Sequence, residues 1–113
     1  MAKKTILLAA LPFAIEQALR RLGADLRTAR LRRNLTITDV AAKIGTGPRA
    51  VMDAEKGKAS TAGAVYAALL WAYGLLDQLG EVADPARDQE GKALASADER
   101  RRARSSDDLD NDF

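Results

Sequence analysis

Cysteine and histidine are both absent from this 113-residue chain, and aromatic side chains make up only 4% of it. Without cysteine there is no disulfide framework, thiolate nucleophile or thiolate zinc site; without histidine the commonest acid-base and metal-ligating side chain is missing. A reducing compartment, the cytoplasm, suits such a chain. Long apolar runs are lacking too: nothing approaches the roughly 18 to 20 residues that a membrane-spanning helix needs. There is no glycine-rich phosphate loop, no cluster of metal ligands and no pair of carboxylates set for acid-base work, so neither catalysis nor a cofactor is expected. The length allows one domain with a modest helical core, small enough for dimerisation to help it.

The charge that is present is unevenly placed. Residues 1–58 carry twelve Lys and Arg against five Asp and Glu, a net of +7, which leaves −5 for residues 59–113 of a chain whose total is +2. A basic half of this kind is the footprint of a phosphate-binding surface.

Within that half, Thr36 to Gly57 reads TITDVAAKIGTGPRAVMDAEKG. Ile37, Val40, Ala41 and Ile44 fall at i, i+3, i+4 and i+7, one buried helical face, and Gly45 ends the helix. Thr36 serves as its N-cap, with Asp39 completing an imperfect capping box. Gly47-Pro48 then opens a second apolar set, Val51 and Ala54, with proline in the first turn where its missing N–H costs nothing. Two short helices joined by a tight glycine-containing turn form a helix-turn-helix.

The flanking segments are built around this pair. Lys3-Lys4 followed by Ile6 to Leu11 has the outline of a short secretory signal, but Pro12-Phe13-Ala14 leads straight into another amphipathic helix. Residues 1–11 are therefore expected to form a hydrophobic arm that packs on the core or on a second subunit. From Pro12 to Asn34 the apolar residues Ile15, Leu19, Leu22, Leu26 and Ala29 keep helical spacing, with a break near Gly23 left open. The fourth helix, starting at Ser60 or Thr61 and ended by Gly74, is apolar on so many faces that it must be covered on more than one side. Tyr66, Leu70 and Tyr73, with the arm from Ile6 to Leu11, are expected to contribute the interface of a two-fold homodimer. Leu75, Leu76, Leu79 and Val82 make a last short helix. Beyond Asp84-Pro85 few larger apolar side chains remain, so residues 84–113 are expected to be a disordered charged tail, with at most a transient helix from Lys92 to Arg104. In that tail Leu109 and Phe113 are candidate anchors for a partner protein. The fold class is all-α: a compact domain of five helices over residues 12–83 between the arm and the tail.

The wording of the central stretch resembles the Cro/phage-repressor (XRE-type) DNA-binding domains, which share a lambda-repressor-like fold. Leu35-Thr36, Val40-Ala41, Ile44-Gly45, Val51 and Glu55-Lys56-Gly57 stand where that family carries its framework residues, and the resemblance runs from about Leu22 to Val82. It implies that Glu55 is the internal partner of a first-helix arginine, here Arg30. It also implies a duplex DNA partner with a palindromic operator, and a cytoplasmic protein associated with the nucleoid. A compact single domain with a short charged extension looks most like HipB-like antitoxins, whose partner is a HipA-type serine/threonine kinase. A stand-alone or phage-type repressor and a protein-binding adaptor are the alternatives.

On this reading the second helix of the pair, about Pro48 to Lys56, enters the major groove. Arg49, at its N-terminal end, is placed for a bidentate contact to guanine, and Asp53 for accepting from cytosine N4. Thr38 and Lys43 are candidates for phosphate, as is Arg33 from the end of the first helix. Thr46, Ala50, Lys56 and Lys58 complete the expected DNA-facing set. Ile37, Gly47 and Pro48 stand where such repressors usually carry polar residues, which points to sparse base readout and supports the adaptor alternative.

Overall fold

A computed structural model describes residues 5–111, with side chains described through Ser106. The chain divides into two compact units, residues 1–79 and 80–113. Every regular element among the described residues is helical: α1 (Ile6–Ala9), α2 (Phe13–Arg32), α3 (Ile37–Ile44), α4 (Pro48–Glu55), α5 (Gly63–Ala72), α6 (Asp77–Gly80) and α7 (Gln89–Asn111). The count is thus seven and not five. Helices α2 to α6 occupy the five expected places, and the two extra elements lie in the arm and in the tail.

The core of the first unit is drawn evenly from four helices. Leu26 and Ala29 of α2, Val40 and Ala41 of α3, Val51 and Ala54 of α4, and Leu69 and Leu70 of α5 are buried together with Tyr73. Full burial of Leu26, Leu69, Val40 and Val51 contributes about 1.5 to 3 kcal/mol for each side chain. Helix α4 touches α2, α3 and α5, so the second helix of the turn is the hub of the packing.

Four consecutive helices end in the same way. A residue in the left-handed region, Asn34 (φ 56°), Gly45 (80°), Gly57 (69°) or Gly74 (72°), terminates α2, α3, α4 and α5 in turn. The next residue then donates its N–H back across the last turn: Leu35 to Arg30, Thr46 to Ala41, Lys58 to Asp53 and Leu75 to Leu70. These bonds satisfy carbonyls that a helix end leaves without partners.

Helix α2 is unbroken through Gly23. Glycine in a helix interior costs about 1 kcal/mol relative to alanine, and the reason for it here is contact. A Cβ at Gly23 would lie 2.6 Å from the Ala54 carbonyl oxygen and 2.7 Å from the Gly57 nitrogen. A Cβ at Gly57 would in turn strike the Leu19 carbonyl. The two glycines let the end of α4 rest directly on the backbone of α2.

Two expectations about α5 and its neighbours change. Leu70 and Tyr73, expected at a dimer interface, are 8% and 3% exposed and belong to the core of the single chain. Tyr66 is half-buried and packs against that core, its hydroxyl donating to the Lys58 carbonyl at 3.1 Å. The apolar face of α5 that stays in water belongs to Trp71, 57% exposed.

In the second unit, the helix expected only transiently over Lys92 to Arg104 is continuous from Gln89 to Asn111. Asp88 accepts from the Gly91 N–H at 2.9 Å and caps its start. Ala, Glu and Arg give that segment high intrinsic helix propensity, and Asp98 pairs with Arg101 and Arg102 at i+3 and i+4. Its described side chains bury no core, and Leu94 is 65% exposed. Leu109's side chain and all of Phe113, the candidate partner anchors, lie outside the described residues.

Candidate nucleic-acid interface

Helix α3 begins at a complete capping box: Thr36 Oγ1 accepts from the Asp39 N–H at 3.0 Å, and Asp39 Oδ2 accepts from the Thr36 N–H at 3.2 Å. Helix α4 begins differently, with Gly47 at the cap position, no side-chain cap and Pro48 in the first turn. That leaves the positive end of the α4 dipole open to an anion.

With Val51 and Ala54 turned inward, α4 presents Arg49 and Met52 outward at i and i+3, and Lys56, its C-cap at i+7, continues that face; all three are exposed. Thr38 and Lys43 of α3 are exposed as well, and Thr46 and Ala50 are half-buried. An exposed guanidinium and an ammonium at the two ends of one helix face, with further donors on the preceding helix, can engage phosphates and base edges of a duplex.

Asp53 plays a part different from the expected one. Its Oδ1 is sealed from water and lies 3.5 Å from both Arg49 Nε and Lys58 Nζ. That oxygen restrains two cations and is not free for cytosine. Arg33 departs further from expectation. Its guanidinium donates to the Ala29 carbonyl at 2.9 Å and the Tyr73 carbonyl at 2.8 Å, and it stacks 5.6 Å from the centre of the Tyr73 ring. A side chain tied to the ends of both α2 and α5 acts as a clamp, although Arg33 as a residue stays exposed.

Behind α4, Arg30 and Glu55 form a two-pronged ion pair, Nε to Oε2 at 2.6 Å and Nη2 to Oε1 at 3.0 Å. Arg30 Nη1 also donates to the Leu35 carbonyl at 2.8 Å, just before the α3 cap. The hydrogen-bonded Glu55 carboxylate holds the Arg30 guanidinium above its ordinary pKa, outweighing the opposite push of burial. One arginine thus fixes α2, α4 and the entry to α3, which sets the angle at which the outward face of α4 is offered.

The sequence places Met52 on the outward face of the second helix of the pair, away from Val51 and Ala54, and Arg27 among the first-helix arginines, but assigns neither a contact of its own. Together with Arg30, Ile37, Glu55 and Lys56 they line an open concavity of about 270 Å³.

A family model described as a helix-turn-helix domain matches residues 21–83. The match covers more than half of the chain, and the chain belongs to that family, a DNA-binding fold. No curated protein and no solved structure matches it. Among the described residues no helix is long and apolar enough to cross a membrane.

Proposed function

We propose that this chain is a sequence-specific DNA-binding transcription regulator that works as a homodimer on a palindromic operator. The observation that carries the reading is the outward face of α4, where Arg49 and Lys56 flank Met52 on a helix whose orientation Arg30 and Glu55 fix from behind. Arg49 reads base edges and Lys56 and Lys43 take phosphates, within the cytoplasm and on the nucleoid. A second subunit sets two such helices about one helical turn of DNA apart. With Leu70 and Tyr73 committed to the core, the exposed apolar side chains left for it in the first unit include Trp71, Leu76 and Leu79.

Titration of the full chain against its selected duplex and against random duplexes, at rising salt, tests this. A regulator loses affinity steeply with salt as Lys and Arg release counterions, and prefers one sequence. A chain without salt-dependent duplex binding is a protein-binding adaptor instead.

The more particular role is that of antitoxin and autorepressor beside a HipA-type kinase. It is supported by the resemblance of a compact domain with a short charged extension, here the solvated helix α7 with Arg100, Arg101, Arg102 and Arg104 exposed. A kinase encoded next to this chain should bind the full chain and lose that binding when residues 86–113 are deleted. A stand-alone repressor has no such complex.

A further inference from the structure

Duplex DNA offers a protein many charged and polar groups but one prominent apolar group in the major groove, the C5-methyl of thymine. The outward face of α4 is not uniformly polar. Between exposed Arg49 and exposed Lys56 stands Met52, 38% exposed. It shares the concavity of about 270 Å³ with Ile37, the first residue of α3, and with Arg27 and Lys56. The remaining two lining residues, Arg30 and Glu55, have turned their charges on each other. A lone exposed apolar side chain is ordinary on a protein surface. Here, though, half-buried Ile37 stands beside it in the same concavity, and cations border both.

Each part selects the same occupant. The Arg27, Arg49 and Lys56 cations attract the phosphates that border the groove, whereas a phosphate gains nothing from a thioether and a sec-butyl group. Thymine places a methyl group within reach of a helix whose cations hold the adjoining backbone. A methionine side chain is flexible and polarisable enough to close on it.

We infer that Met52, backed by Ile37, is a specificity-determining residue that reads the thymine C5-methyl group, an inference that rests on the DNA-binding reading above. It supplies part of the readout that Gly47 and Pro48, with no polar side chains, do not.

The test replaces the methyl and nothing else. A preferred duplex is selected from a random pool with the full chain, and each thymine is then exchanged singly for deoxyuridine while affinity is followed by fluorescence anisotropy. At one or two positions in each half-site, loss of the methyl is expected to weaken binding about fourfold, the worth of one buried methyl group. Met52→Ala, with unchanged helical circular dichroism, is expected to bind thymine and deoxyuridine duplexes equally, and Met52→Leu to keep a preference for thymine. If specific binding persists but no deoxyuridine position weakens it, the inference is wrong while the DNA-binding reading stands. It is equally wrong if Met52→Ala retains the full thymine preference. Absence of any preferred duplex overturns both.

Discussion

Arg30 and Glu55 meet 25 residues apart in sequence with both side chains almost out of water, 9% and 6% exposed. An ion pair in that setting is costly to break from one side, because the survivor keeps its charge and loses its partner. Glu55→Ala is therefore expected to destabilise the domain by about 3 to 5 kcal/mol. Arg30→Met with Glu55→Leu should cost less than the sum of the single changes. The double variant still leaves the Leu35 carbonyl without its Arg30 donor, so recovery stops about 1 kcal/mol short. Urea unfolding of the four proteins gives the coupling, and strictly additive effects would show that the pair is not energetically joined.

Gly57→Ala should be among the most damaging small substitutions in the chain. The added methyl meets the Leu19 carbonyl, and φ at +69° is strained for any side chain. Gly23→Ala faces the same backbone from the other side, with the Ala54 oxygen only 2.6 Å from the new Cβ. Overpacking of this kind costs about 1 to 3 kcal/mol, whereas an exposed helical glycine replaced by alanine would gain stability. Thermal melts separate the cases: a raised midpoint for Gly23→Ala would mean that α2 and α4 are not in backbone contact.

Some of this was legible in the sequence, and the reasons differ by residue. Helices α3 and α4 announce themselves because periodicity, Thr36, Gly45, Pro48 and Gly57 all agree. Helix α5 has no polar side to orient it, so its pattern does not say which stripe is inward, and Leu70 and Tyr73 went to the wrong surface. Arg33 is invisible for another reason: its role depends on the Tyr73 carbonyl, 40 residues away, and a charged residue before a DNA-binding motif looks like a phosphate contact. The low apolar content of residues 84–113 argues against a core but says little about an isolated helix, which local propensity and the Asp88 cap can support. Gly23 reads as a weak point until its neighbours are known.

Tyr73 links stability to pH. Burial, and then the Glu55 charge, push its phenol above the ordinary value, against the opposite pull of Arg30 and Arg33. Its folded pKa exceeds its unfolded one, so its contribution is complete below the unfolded value of about 10 and is lost as pH rises through the folded value. Its hydroxyl has no hydrogen-bond partner among the described residues. Tyr73→Phe should therefore hold or raise stability at neutral pH, by about 1 kcal/mol at most, and should soften the alkaline decline. An alkaline limb identical to that of the parent would show that Tyr73 does not titrate with folding.

The two faces of α5 predict opposite failures. Leu70→Glu places a charge in the core beside Leu69 and Tyr73, so it should unfold the domain. Trp71→Glu changes a side chain that is 57% exposed; it should keep the helical signal and lower the molecular mass from dimer to monomer. Light scattering with circular dichroism reads both. A dimeric, folded Trp71→Glu protein would move the proposed interface away from α5.

Arg33 and Lys56 differ in what their charges do, although both stand where a phosphate contact would be sought. Arg33 clamps the Ala29 and Tyr73 carbonyls, while Lys56 is exposed on the outward face of α4. Lys56→Ala should weaken binding to all duplexes alike and reduce the slope of log affinity against log salt by about 1, with stability unchanged. Arg33→Ala should leave the salt slope alone and lower stability by about 1.5 to 3 kcal/mol, the range for hydrogen bonds from a charged donor. Any loss of DNA affinity in that variant should then disappear when titrations are corrected for the unfolded fraction. A reduced salt slope for fully folded Arg33→Ala would keep Arg33 in the DNA-facing set and leave the two carbonyl contacts as a resting position of a phosphate-binding arginine.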